Sequence, residues 1–262
     1  MNTRIASLAA LSVLASASAA TAAVNYSTSF ESPFTTAALP GQQGWATTGA
    51  SGNFIVGNVA GRARTGTQYV GYDYTTGTST AARWSWIAQD QTAAQLATDW
   101  LVTTSVYVQI LTPAAGTTRL TSGGLDAYNA AGSARLGAMR LRSDGALVLT
   151  NSAGASGALA LTGFAFNTYY QLSMSLNFQT NKISWAINGQ AIDTSAIAGL
   201  DTFTGTDFGD TDLYITRSNP TSGTATGGHF VTFDDYSITS TPAPGSIALL
   251  AVAGIVGSRR RR

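Results

Sequence analysis

The chain has 262 residues, of which 28 are glycine and none is cysteine, and only 10 % carry a charged side chain. Without cysteine there is no disulfide framework and no zinc–thiolate site. The formal charge of +1, with no recurring Lys/Arg stripe, offers no basic face to nucleic acid, which is excluded as an expected partner.

The chain opens MNTRIASLAALSVLASASAATAA, with Arg4 ahead of a short apolar core from Ile5 to Leu14 and Ala-x-Ala choices ending at Ala19 or Ala22. That order of basic, apolar and small residues predicts a secretory signal peptide over 1–23. The end, PAPGSIALLAVAGIVGSRRRR, carries an uninterrupted apolar or glycine run from Ile247 to Val256 before four arginines. As a helix, Pro244 to Ser258 would measure about 22 Å, short of the ~30 Å hydrocarbon core. A transient hold in the inner membrane, with the arginines on its cytoplasmic side, is the expectation. Removing both ends leaves nine basic residues against all thirteen acidic ones, a charge of −4. The positive charge belongs to the ends, not to the body.

Residues 24–241 read as one all-β domain. Segments such as WLVTTSVYVQIL, LGAMRLR, ALVLTN and HFVTFDDYSIT are rich in aromatic and β-branched residues and are separated by Gly, Ser, Thr, Asn and Asp clusters. In YYQLSMSLNF the apolar Tyr170, Leu172, Met174, Leu176 and Phe178 alternate with Gln171, Ser173, Ser175 and Asn177. That period of two marks a strand with one face on a core. Asp144-Gly145 and the polar loop in NFQTNKISW are hairpin signals. QDQTAAQLATDW is the one segment that reads as a short helix. Successive antiparallel hairpins predict an antiparallel two-sheet sandwich or jelly roll.

Two resemblances add to this reading. Pro242-Ala243-Pro244, the apolar helix and Arg259, Arg260, Arg261 and Arg262 resemble the PEP-CTERM sorting signal of bacterial envelopes, with Ala243 standing where the family has Glu. The resemblance implies removal of 242–262 by an exosortase-type protease, and an exported protein of the cell envelope, surface or extracellular space. FNTYYQLSMSLNFQTNKISWAINGQAI is similar to a hairpin of concanavalin A-like and laminin-G-like domains, and FESP with FDDYSIT to the first and last strands of such exported jelly rolls.

Catalytic residues were sought by inventory. The resemblance implies that hydrolases of this sandwich use two glutamates, whereas Glu31 is the one glutamate here. A pair of aspartates could serve a glycosidase, but no spacing selects among Asp126, Asp144, Asp73 and Asp207. His229, the sole histidine, lacks a nucleophile elbow and reads as a strand-end or surface residue. The expectation is a noncatalytic exported surface or matrix protein that binds carbohydrate or exopolysaccharide. Its alternative is a passive structural protein, and a glycoside hydrolase or lyase ranks below both. Trp45, Tyr72 and Tyr74 are the expected sugar platforms, because sugar C–H groups stack on the negative face of aromatic rings. Trp84 and Trp86 share a face, with at least one of them expected in the core.

A structural Ca²⁺ is expected between the first and last strands, as the resemblance implies, held by Glu31 and Asp235. Alternation would place Asp235 with Phe233 and Ser237 on the inward face and Asp234 with Tyr236 on the other. The loop DTFTGTDFGDTD, with Asp201, Asp207, Asp210 and Asp212, is the rival site.

Overall fold

A computed structural model describes residues 23–47, 54–73, 82–97, 99–113, 115–218 and 229–241. Tyr74, residues 1–22 of the expected signal peptide and the whole sorting segment, with Pro242, Pro244 and Arg259 to Arg262, lie outside the described residues. In chain order the strands are β1 (Ala23–Thr28), β2 (Ala46–Thr47), β3 (Ile55–Gly57), β4 (Tyr69–Asp73) and β5 (Arg83–Trp86). A one-turn helix, α1 (Ala93–Leu96), precedes β6 (Leu101–Ile110), β7 (Leu120–Tyr128), β8 (Arg135–Arg142), β9 (Ala146–Asn151) and β10 (Ser156–Ala160). The remainder are β11 (Tyr169–Asn177), β12 (Lys182–Ile187), β13 (Gln190–Ala191), β14 (Asp210–Ser218) and β15 (Phe230–Thr241).

These form two antiparallel sheets. One runs β13-β12-β11-β6-β15-β4-β3, with β1 added to β15, and the other runs β10-β9-β8-β7-β14-β5-β2. The β-sandwich expected from the alternating runs is the fold. β11 alternates as its sequence does, with Leu172, Met174 and Leu176 fully buried between half-buried polar neighbours. Against it, Leu125, Met139, Leu141 and Leu213 of the second sheet close the core. Each such side chain stabilises the fold by about 1.5–3 kcal/mol through burial. Gly137 permits the close approach, since a Cβ there would lie 2.5 Å from Ile183 and 2.7 Å from Met174. The helix in QDQTAAQLATDW is held by a reciprocal cap between Thr92 and Gln95. Among the described residues no helix is long and apolar enough to cross a membrane.

The last strand departs from strict alternation. Its register against β6 shifts between Asp234 and Ser237, and Asp235 adopts φ +47°. This bulge inserts residues into one strand only, so Phe233 and Tyr236 both point into the core, each 0 % exposed. The expected partition, with Asp235 inward beside Phe233, is corrected by that irregularity.

Candidate functional site

Glu31 and Asp235 do line one cleft between β1 and β15, of about 650 Å³. Both, however, are occupied by the loop before β4. Glu31 Oε1 accepts from the backbone N–H groups of Thr67 and Gln68 at 2.6 Å, and its other oxygen accepts from the Thr67 hydroxyl. Burial opposes ionisation of Glu31, but these donors hold its pKa below the usual value. Asp235 pairs with Arg64 at 2.5 Å and accepts from the Thr65 hydroxyl at 2.8 Å. The Arg64 guanidinium also lies 3.6 Å from the centre of the Tyr107 ring. Buried Asp234 accepts from the N–H groups of Arg64 and Thr65. A Ca²⁺ needs six to eight free oxygens, and among the described residues no group of three or more metal-binding side chains converges. The arrangement does not fit calcium, because an arginine already supplies the positive charge.

Of the expected sugar platforms, Trp45 and Tyr72, the two among the described residues, face inward. Trp45 is 2 % exposed. It donates to the Tyr26 hydroxyl at 3.0 Å and packs against Phe30 and Tyr236. Tyr72 is buried edge-on against Phe54. Neither ring has a free face for a sugar. His229 is buried rather than at the surface and stacks on Phe166 at 5.4 Å.

The chemistry lies on the outer face of the second sheet. In β14 the sequence DTDLYI puts Asp210, Asp212 and Tyr214 on that face and buries Thr211, Leu213 and Ile215 beneath it. Antiparallel pairing sets Asp212 opposite Asp126 and Asp210 opposite Tyr128 on β7, and Tyr214 opposite Trp84 on β5. Directly opposed Cβ atoms lie about 4.5–5.5 Å apart. Three carboxyls, Asp126, Asp210 and Asp212, and three aromatic rings, Trp84, Tyr128 and Tyr214, are thereby gathered from strands far apart in sequence.

Asp126 is fully buried and held by a fork of bonds from Arg140, 2.9 Å from Nε to Oδ1 and 2.5 Å from the terminal nitrogen to Oδ2. Trp84 Nε1 donates to the same carboxylate at 3.4 Å. The Arg140 guanidinium lies 3.5 Å from the centre of the Tyr214 ring, a cation–π contact. Gly124 stands between Tyr214 and Arg140 in register. A Cβ there would collide with the Met139 carbonyl, so this crowded strand pairing requires glycine.

Asp210 and Asp212 share an environment of the opposite kind. They stand two residues apart on one face of β14 and line the same cleft. Asp212 is 7 % exposed, and the described residues give Asp210 Oδ1 no N–H or O–H donor. Two buried carboxylates so placed repel each other, which favours the protonated form. Burial is the main cause that raises both groups, Asp210 to about 6 with Asp90 adding repulsion, and Asp212 to about 10 with Asp210 and Asp126 adding repulsion. They titrate as a pair. Tyr128 is pushed up to about 12 by burial first and then by the charges of Asp126 and Asp212.

This pair lies in a cleft of about 520 Å³ whose walls include Trp84, Trp86 and Tyr128. One wall is the turn after β7, held by Asn129 accepting from Ser133 and Ala134, and by Asp207 accepting from Ala130. The other is the segment after β5, tied by Gln89 to the Gly209 carbonyl and by Gln91 to that of Phe208. Both tryptophans are only partly buried and share the outer face, so neither belongs to the core as expected for at least one of them. Of the aspartates considered from sequence, Asp126 is in this site. Asp144 pairs with Arg142 at a hairpin and Asp207 caps the turn. Asp210 and Asp212 were legible only as members of an acidic loop. The signal that separates them from it is the Asp-x-Asp spacing on a strand, which puts both on one face.

No protein-family model and no curated protein sequence matches the chain. Solved structures match in fold. The carbohydrate esterase of Shiga toxin-encoding bacteriophage phi24B is 14 % identical, with 84 % of this chain covering 99 % of that one at a TM-score of 0.50. A sialidase is 9 % identical over 76 % of this chain and 17 % of its own, at a TM-score of 0.47. A Trypanosoma rangeli sialidase in complex with 2,3-difluoro-KDN is 16 % identical over 72 % and 27 %, at 0.42. The chain thus spans less than a third of either sialidase. At these identities the likeness is one of fold. The expectation of a noncatalytic surface or matrix protein with hydrolysis ranked last is corrected at that level: a solved structure that shares the sandwich is named a carbohydrate esterase. Aspartate pairs were weighed from sequence among Asp126, Asp144, Asp73 and Asp207, whereas Asp210 and Asp212 were read only as members of an acidic loop.

Proposed function

We propose that this chain is a carbohydrate-active hydrolase whose reacting groups are Asp210 and Asp212. The observation that carries the reading is the pair of neighbouring carboxyls Asp210 and Asp212 on one face of β14, in a cleft walled by Trp84, Trp86 and Tyr128. Groups pushed to different pKa values by one environment are the mark of paired acid and base. Aromatic walls suit sugar rings.

A neighbouring acid and base suit attack on a carbonyl carbon, as in a sugar O-acyl ester, the class of bond named for the esterase that shares the sandwich. Asp210 takes a proton from water, whose oxygen adds to the acyl carbon, while Asp212 gives its proton to the carbonyl oxygen. Collapse of the adduct breaks the bond to the sugar oxygen, which leaves with the proton from Asp210, and a hydroxyl proton of the adduct returns to Asp212. The products are a carboxylic acid and a free sugar hydroxyl, and the pair is restored. Asp126, fixed by Arg140, acts as a positioning residue that keeps negative charge beside Asp212.

Acetate release from O-acetylated cello- and chito-oligosaccharides is the direct test. General acid–base catalysis of this kind contributes about 10²–10⁴-fold, so a loss of that size is expected in Asp212→Asn. The two ends of the chain support an exported enzyme that meets glycan outside the cell. The intact mass of secreted protein tests both processing events together.

A further inference from the structure

The cleft's charge bears on which sugar it takes. Asp90, Asp210 and Asp212 line it, and Asp90 also lines an adjoining cleft of about 280 Å³ with Asp99, Gln89, Gln91 and Gln95. Among the described residues no Lys or Arg lines either cleft. Arg140 is turned to Asp126 and Tyr214. Asp212 is more than nine-tenths buried and lines the cleft, and among the described residues no N–H or O–H donates to it. A buried carboxyl left with acceptor capacity and aimed into a cavity is completed by a ligand that donates.

An acidic sugar would set its carboxylate against these aspartates with no cation to receive it, and like charges in such a site repel strongly. A protonated amine meets the reverse. It can donate up to three hydrogen bonds to the carboxylates and also lie against the faces of Trp84 and Trp86. We infer that the cleft selects glycans that bear free, protonated amino groups, with Asp90 and the Asp210–Asp212 pair as the anions that receive the amine. The inference rests on the reading of this cleft as the substrate site and adds its charge preference.

Binding can be read apart from turnover, since an oligosaccharide without ester groups is not consumed. The full chain is titrated at pH 6.5, where Asp210 is largely ionised, with glucosamine hexamer, N-acetylglucosamine hexamer and galacturonate hexamer, and quenching of tryptophan fluorescence gives each Kd. The glucosamine hexamer is expected to bind at least tenfold tighter than its N-acetyl counterpart, with the advantage shrinking in 0.3 M salt and in Asp90→Asn. The galacturonate hexamer is expected not to bind. Equal affinity for amine and N-acetyl hexamers, or measurable binding of galacturonate, overturns the charge preference while leaving acetate release untouched. If no hexamer binds, the preference is also overturned. Acetate release lost in Asp212→Asn then decides by itself whether the hydrolase reading stands.

Discussion

Asp210 and Asp212 project from the same face of β14 into one cleft. Asp126 lies across from Asp212 on β7 and is tied to Arg140. Three carboxyls in one patch would be costly if all were ionised. The arginine satisfies one, and burial pushes the other two toward their protonated forms.

That arrangement gives stability a particular pH dependence. Burial pushes Asp210 and Asp234 up to about 6 and Asp212 up to about 10, against roughly 3.9 in an unfolded chain. A raised folded pKa means that the folded state holds the proton more tightly. The stabilisation is complete below the unfolded value and is lost as pH rises through the folded one. The unfolding midpoint should therefore fall from about pH 4 to 6, where all three groups contribute, and go on falling to about pH 10 through Asp212 alone. Asp212→Asn should remove the upper fall. Midpoints that rise steadily from pH 5 to 9 would contradict these assignments.

The two kinds of aromatic residue should separate cleanly. Trp45→Ala removes a buried ring and should cost about 3–5 kcal/mol, measured by urea unfolding. Trp86 lines the cleft, so Trp86→Ala should leave stability within about 1 kcal/mol and weaken saccharide binding about tenfold. Equal effects of the two changes on binding would place the site elsewhere.

Arg64 should behave as a resident cation. Its partly exposed ion pair with Asp235 and its contact with Tyr107 together predict a loss of about 1–2 kcal/mol in Arg64→Ala. A chelator should leave the unfolding midpoint of the unaltered chain unchanged. A chelator-dependent fall of several degrees, reversed by Ca²⁺, would show that the carboxylates around Arg64 hold a metal after all.

Gly124 tests the crowding beneath the site. Gly124→Ala has no room between β7 and β8 and should destabilise by about 1–3 kcal/mol, with a larger loss of activity than of stability because Arg140 is displaced from Asp126. Activity unchanged in a folded variant would remove Asp126 and Arg140 from the account.

The sandwich was legible because its strands alternate, and YYQLSMSLNF shows that pattern as plainly in its burial as in its sequence. Trp84 and Trp86 were correctly placed on one face, since strand period fixes that much, but which face met water depended on the partner sheet. The bulge at Asp234 and Asp235 was not legible, because the positive φ falls on an aspartate with no glycine to mark it. The site itself arises from register. Asp126 and Asp212 are separated by 86 residues in the chain and meet only when β7 pairs with β14. No local spacing could have selected them.

The Asp210–Asp212 carboxyl pair is the centre of the account, and acetate release from O-acetylated oligosaccharides by the unaltered chain and by Asp212→Asn tests it most directly. The account predicts turnover by the former and a loss of about 10²–10⁴-fold in the latter, with the folded state retained and its alkaline stability raised. Turnover preserved in Asp212→Asn, or no turnover by the unaltered folded chain on any member of the panel, would contradict it.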